Sequence, residues 1–127
     1  MQVPYPSNLI VITGGPGAGK TTLINHLSER GYDTSQEVAR NVIENQQERG
    51  GNALPWDDND AYSGLMMRGS IRAWQDGMEQ DPLPVFFDRG LPDTLAHRRL
   101  SNLPEDPALM RAIETYRYRR SVFILPP

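Results

Sequence analysis

Gly14-Gly15-Pro16-Gly17-Ala18-Gly19-Lys20-Thr21 contains the only lysine of this 127-residue chain, and every other Lys/Arg position is arginine. The stretch fits the phosphate-binding pattern G-x-x-x-x-G-K-S/T at all its fixed positions. A compact ammonium on a flexible stem follows a β- or γ-phosphate as a point charge, whereas a planar guanidinium prefers fixed two-point partners. The single lysine therefore stands where phosphate chemistry asks for one.

The flanks decide how the stretch is read. On the amino-terminal side, Leu9-Ile10-Val11-Ile12-Thr13 is a short apolar, β-branched run that predicts a buried parallel strand. On the other side, Leu23, Ile24 and Leu27 recur at helical spacing as far as Arg30, with Gly31 placed as a C-terminal cap. Strand, glycine loop and helix is the order that lets backbone N–H groups and the positive helix end face phosphates. Gly15, Pro16, Gly17, Ala18, Gly19, Lys20, Thr21 and Thr22 are thus the candidate nucleotide-binding residues, and the Thr21 hydroxyl is a candidate Mg²⁺ ligand. A bare Gly/Pro hairpin turn, the competing reading, would not explain those flanks.

Composition narrows the field. A chain of this length supports one domain, 1–127, with a single core, and 38% hydrophobic residues is low but compatible with a globular fold. The formal charge of −3 gives no electrostatic footprint for nucleic acid. Arg117, Arg119 and Arg120 form one basic cluster, readable as a solvated helix end or as a phosphate contact. Cysteine is absent, which excludes thiolate chemistry and Cys-based metal sites. The apolar run near the N-terminus is short and lacks a basic leader, and no segment is long enough to span a bilayer, so the expectation is a soluble cytoplasmic protein without a membrane partner. Neither His26 nor His97 has metal-ligand spacing, and both read as structural or exposed.

Further along, Tyr32-Asp33-Thr34 reads as a short second strand. Ser35 then offers an N-cap for a helix with Val38, Ala39, Val42 and Ile43 on one face, ended by Gly50-Gly51-Asn52. Pro55-Trp56-Asp57-Asp58 opens another helical stretch whose apolar stripe is Tyr62, Leu65, Met66, Ala73 and Trp74, with Gly69 allowing a neighbour to approach. The acids Asp57, Asp58 and Asp60 fit a helix start and lack the spacing of a calcium loop. Pro84 to Asp88 is a second buried strand ending in a carboxylate, Pro92-Asp93 starts a helix through Leu100, and Pro104-Glu105-Asp106 starts one running towards Arg119. Ser121 to Leu125 is a third apolar strand. Alternating strands and helices predict an α/β fold in three layers: a parallel sheet with helices on both faces and ligands beyond the carboxyl ends of the strands.

Asp88 follows an apolar strand, the placement of a carboxylate that holds Mg²⁺ directly or through water, although an aspartate there could also cap the next helix. Asp88-Arg89-Gly90 resembles the Asp-Arg-Ser or Glu-Arg-Ser signature of P-loop nucleoside and nucleotide kinases. Glu37-Val38-Ala39-Arg40 resembles the position from which deoxynucleoside kinases present a catalytic glutamate. The series GGPGAGKTT, EVAR, FDRG and a closing FILPP is similar to small predicted ATPases of the AAA-like, kinase-like P-loop class, over nearly the whole chain.

That resemblance implies an ATP- and Mg²⁺-binding core in which Lys20 and the loop amides hold the β- and γ-phosphates while Thr21 and Asp88 position the metal. Glu37 would accept a proton from an acceptor hydroxyl or anchor it, and Arg89 or Arg40 would neutralise the moving phosphoryl group. Glu37 could equally be a helix N-terminal carboxylate, and Arg40 its intrahelical neighbour. Kinases of this class carry a lid and a further strand after the last one read here, so the resemblance also implies that the C-terminal part of the fold is missing.

The expected function is a kinase transferring the ATP γ-phosphoryl group to a small hydroxyl-bearing metabolite such as a nucleoside. The alternative is a regulatory ATP-binding module with slow hydrolysis that acts through a protein partner. A GTPase is disfavoured by composition, because the guanine-reading N-K-x-D element needs a second lysine and no Asp is followed three residues later by Gly.

Overall fold

The computed structural model describes residues 8–15, 17–120 and 122–126. β1 (Leu9–Gly14) leads through the glycine loop into α1 (Lys20–Glu29); β2 (Asp33–Ser35), α2 (Val38–Arg49), α3 (Asn59–Met78), β3 (Val85–Asp88), α4 (Leu91–Leu100), α5 (Pro107–Thr115) and β4 (Phe123–Leu125) follow. The strands form a parallel sheet in the order β2-β3-β1-β4. From β1 the chain steps two places to β2, returns to β3, and then passes β1 to reach β4 on its far side. The strand order therefore reverses at β1, the place where a ligand crevice opens in sheets of this kind.

Alternation along the strands divides the core between the two faces. Leu9 and Val11 of β1, with Val85 and Phe87 of β3, pack with Leu91 of α4 and with Leu109 and Ala112 of α5, and Met67, Ile71 and Trp74 of α3 close over them. The intervening Ile10 and Ile12 are also buried, and α1 packs on β1, β2 and β3 with Ile24 only 1% exposed. The three layers expected from the sequence are present.

Local chemistry explains most element ends. Asp58 caps α3 by accepting from the Ala61 N–H at 3.1 Å, and the Asp106 side chain accepts from Ala108 and Leu109 at the start of α5. Gly50, at φ +70°, closes α2. The expected approach at Gly69 is real: a Cβ there would stand 2.5 Å from Cγ1 of Val38 on α2.

Several boundaries differ from the sequence reading, among them α3, which begins at Asn59, and β4, which begins at Phe123. Tyr32 is not in β2, because its N–H is committed to the Leu27 carbonyl at the end of α1, so the strand runs one residue later. Ser35 consequently belongs to β2, and the N-cap position of α2 falls to Glu37. Helix α5 stops at Thr115 instead of continuing towards Arg119, since tertiary bonds take the backbone beyond it: Trp74 Nε1 donates to the Arg117 carbonyl at 2.7 Å, and the Arg119 N–H donates to the Leu9 carbonyl at 2.8 Å. Pro16 and Ser121 lie outside the described residues.

Candidate functional site

Parallel pairing brings the carboxyl ends of the strands to one edge. Ile12 of β1 is in register with Asp88 of β3, and Ser35 of β2 with Phe87, so the glycine loop, the start of α2 and Asp88 are neighbours despite their distance in sequence. The loop turns through glycines at φ +79° (Gly17) and +84° (Gly19), conformations costly for any residue with a Cβ. Gly19 occupies the N-cap position of α1 without a side chain, so no cap occupies the amides of the first turn, Lys20 to Thr22. These are the groups a helix N-terminus offers to an anion.

Gly15, Gly17, Ala18, Gly19, Lys20, Thr21 and Thr22 line a cleft of about 410 Å³, with Glu37 and Arg89 on its other wall. The Lys20 side chain is 9% exposed, and its Nζ is ion-paired with Asp88 Oδ1 and lies 3.7 Å from Glu37 Oε2. Arg89 reaches Glu37 from the opposite direction, Nε to Oε1 at 3.9 Å. Lys20, Glu37, Asp88 and Arg89, each picked out in the sequence, thus form one charged cluster.

The competing readings can now be weighed on geometry. The N-cap of α4 is Gly90, so Asp88 does not cap that helix; its carboxylate faces Lys20 and is buried with it. Glu37 does hold the N-cap position of α2, but its side chain makes no cap hydrogen bond and turns to Lys20 and Arg89. Arg40 is exposed and does not line the cleft. Nor do Arg117, Arg119 and Arg120, which line a separate cavity, and Arg117 Nε donates to the Glu114 carbonyl near the end of α5. His97 is structural: Nε2 lies 2.8 Å from Asn59 Oδ1, its ring meets Tyr62 edge-on, and burial followed by the Arg98 charge holds its pKa below the usual value.

Two members of the cluster escaped the sequence reading. Thr13 Oγ1 donates to Asp93 Oδ1 at 2.7 Å and accepts from Arg89 Nη1 at 3.3 Å, while Arg89 Nη2 donates to the Gly14 carbonyl at 2.7 Å. From the sequence Asp93 reads only as part of a helix start, and its Oδ2 does accept from the Gly90 N–H at 2.8 Å. The pairing of Arg89 with Asp93 does not come from helical i,i+4 spacing, because Arg89 precedes α4 in a left-handed conformation; the turn at Arg89-Gly90 folds its side chain back towards Asp93.

A model of the AAA domain family matches residues 9–127. The chain belongs to the AAA domain family. Among solved structures, this AAA domain is similar to the NadR protein crystallised in complex with NR, at 23% identity and a TM-score of 0.70, with 96% of this chain and 34% of that one covered. It is also similar to thymidylate kinase from Ehrlichia chaffeensis, at 17% identity and a TM-score of 0.65, covering 96% of this chain and 73% of that one. The AAA domain spans about a third of the length of the NadR chain. At these identities the likeness is one of fold, and the fold is that of a kinase-like P-loop NTPase. None of the curated proteins is a significant sequence match. No helix among the described residues is long and apolar enough to cross a membrane.

The donor set suits a metal carried in by phosphates better than a resident one. Among the described residues no three His, Cys, Asp or Glu side chains gather as a metal cluster. Mg²⁺ bound with a nucleotide needs only one or two protein oxygens, the rest coming from phosphates and water. One hydroxyl at the start of α1, Thr21, and one carboxylate at the end of β3, Asp88, fit that requirement.

Proposed function

We propose that this AAA domain binds Mg·ATP in the loop cleft and passes the γ-phosphoryl group to a small hydroxyl-bearing acceptor, a nucleoside being the leading class. The observation that carries the proposal is the convergence of Lys20, Glu37 and Arg89 on the glycine-loop cleft, with Asp88 paired to Lys20 behind it. Gly15 and Gly17 to Thr22 hold the phosphates through backbone amides and the Lys20 ammonium. Thr21 and Asp88 hold Mg²⁺, which would neutralise charge shared between the β- and γ-phosphates. Glu37, 28% exposed on the cleft wall, receives or orients the acceptor hydroxyl proton, and Arg89 offsets charge on the phosphoryl group in transit. Little covalent work falls to the protein, because positioning and electrostatics dominate phosphoryl transfer. One fold neighbour is by name a thymidylate kinase, which supports a small acceptor, and another was crystallised in complex with NR.

Calorimetric titration with Mg·ATP tests the cleft, and ATP consumption with and without added nucleosides tests the transfer. Lys20→Ala is expected to weaken Mg·ATP binding at least about tenfold, the loss of one charge-assisted contact worth roughly 1.5–3 kcal/mol. Undiminished affinity in that variant would sink the assignment of the cleft. Turnover indifferent to every acceptor offered would favour the hydrolytic, partner-directed alternative.

A further inference from the structure

Arg89 is held in a way that its position in a turn does not require. Its backbone sits at φ +67°, a left-handed conformation that an arginine keeps only where its surroundings enforce it. The guanidinium is fastened to the Gly14 carbonyl and the Thr13 hydroxyl, and its Nη1 lies 3.6 Å from Asp93 Oδ1. From the other side the turn is backed by Tyr118: a Cβ at Gly90 would fall 2.9 Å from its ring, and its hydroxyl accepts the Leu91 N–H at 3.3 Å.

Asp93 supplies the order in this arrangement. Both of its oxygens are in use as acceptors, Oδ2 for the Gly90 N–H and Oδ1 for the Thr13 hydroxyl. A hydroxyl that donates to Asp93 has its lone pairs turned elsewhere, and Arg89 Nη1 donates to it. The carboxylate thus fixes Arg89 twice, once by charge and once by setting the direction of the Thr13 hydroxyl. Asparagine cannot reproduce this, because its amide presents an N–H₂ to one of the two donors. Glutamate would carry the carboxylate one methylene too far for both bonds.

We propose that Asp93 is a positioning residue that acts through Arg89, holding the guanidinium at the cleft wall with its Nε edge towards Glu37 and the phosphate cradle. The proposal rests on the phosphate-binding reading of the cleft for its consequence, but not for the order of Arg89 itself. Two measurements separate these. The Nε–Hε resonance of Arg89, followed by NMR without nucleotide, is expected to be sharp in the wild type and to broaden or exchange with water several-fold faster in Asp93→Asn. A Thr13→Val variant, which leaves the Gly90 cap on Asp93 intact, is expected to loosen the same resonance, and Thr13→Ser to restore it.

Binding of a non-hydrolysable Mg·ATP analogue then completes a double-mutant cycle. Asp93→Asn and Arg89→Ala are each expected to weaken it roughly five- to tenfold, and the double variant to bind no more weakly than Arg89→Ala alone. Additive losses, or an Arg89 resonance unchanged in both Asp93→Asn and Thr13→Val, would overturn the positioning role. Failure of the wild type to bind the analogue would overturn the phosphate reading instead, and the resonance would still decide whether Asp93 orders Arg89.

Discussion

The nearest counter-charges to Lys20 are carboxylates of the chain itself, Asp88 in direct contact and Glu37 at 3.7 Å. In the proposed function a phosphate must draw Lys20 away from Asp88, and Mg²⁺ must replace Lys20 as the counter-ion of Asp88. Each event makes the other easier, so metal and nucleotide should bind as a coupled pair. Asp88→Asn removes the anion that competes for Lys20. Metal-free ATP should therefore bind about tenfold more tightly to this variant than to the wild type, the weight of one charge-assisted contact near 1.5 kcal/mol, while the gain on adding Mg²⁺ shrinks. Titrations with EDTA and with Mg²⁺ read both quantities, and weaker metal-free binding in the variant would remove the competition. Lys20 and Asp88 were legible in the sequence because a fixed spacing and a strand end mark them. Asp93 was not, since its meaning depends on Thr13, 80 residues away, and on a hydroxyl direction that no spacing encodes.

Element ends were legible where the signal is local and lost where a distant partner intervenes. Asp58, Gly50 and Asp106 stop or start helices through bonds within a few residues, and the sequence reading marked each of those ends. Helix α5 ends early because Trp74 and Leu9 claim the backbone beyond it. The same segment delivers Tyr118 into the core, 7% exposed and edge-on to Phe87. Burial, with a smaller push from the Asp93 charge and against the pull of the Leu91 hydrogen bond, raises the phenol pKa to about 12. The folded value thus lies above the unfolded value near 10, so the neutral phenol favours folding. Its contribution is complete below about pH 10 and is lost as pH rises towards about 12, a fall of roughly 2–3 kcal/mol. Urea unfolding at pH 9.5 and 11.5, an interval that spans only part of that loss, should show a decline that is smaller by roughly 1.5–2 kcal/mol in Tyr118→Phe. An equal decline in both proteins would mean that the segment carrying Tyr118 opens before the phenol ionises.

On the scale of the whole molecule, the strand–loop–helix order was enough to anticipate a parallel sheet, because parallel strands need helical crossovers. Strand order was not legible, since it is set by pairing between segments far apart in sequence, Leu9 with Val85 and Ile12 with Phe123. That order leaves the two outer strands unlike one another. β2 is a three-residue Asp-Thr-Ser strand with Asp33 exposed, the sort of short, charged edge that discourages further pairing. β4 pairs with β1 alone among the described residues, and it carries Phe123 at 52% and Ile124 at 72% exposure beside a half-exposed Val122. The apolar edge therefore lies beside β1, and the charged one beside β3, where β2 leads into Glu37 and the charged wall of the glycine-loop cleft.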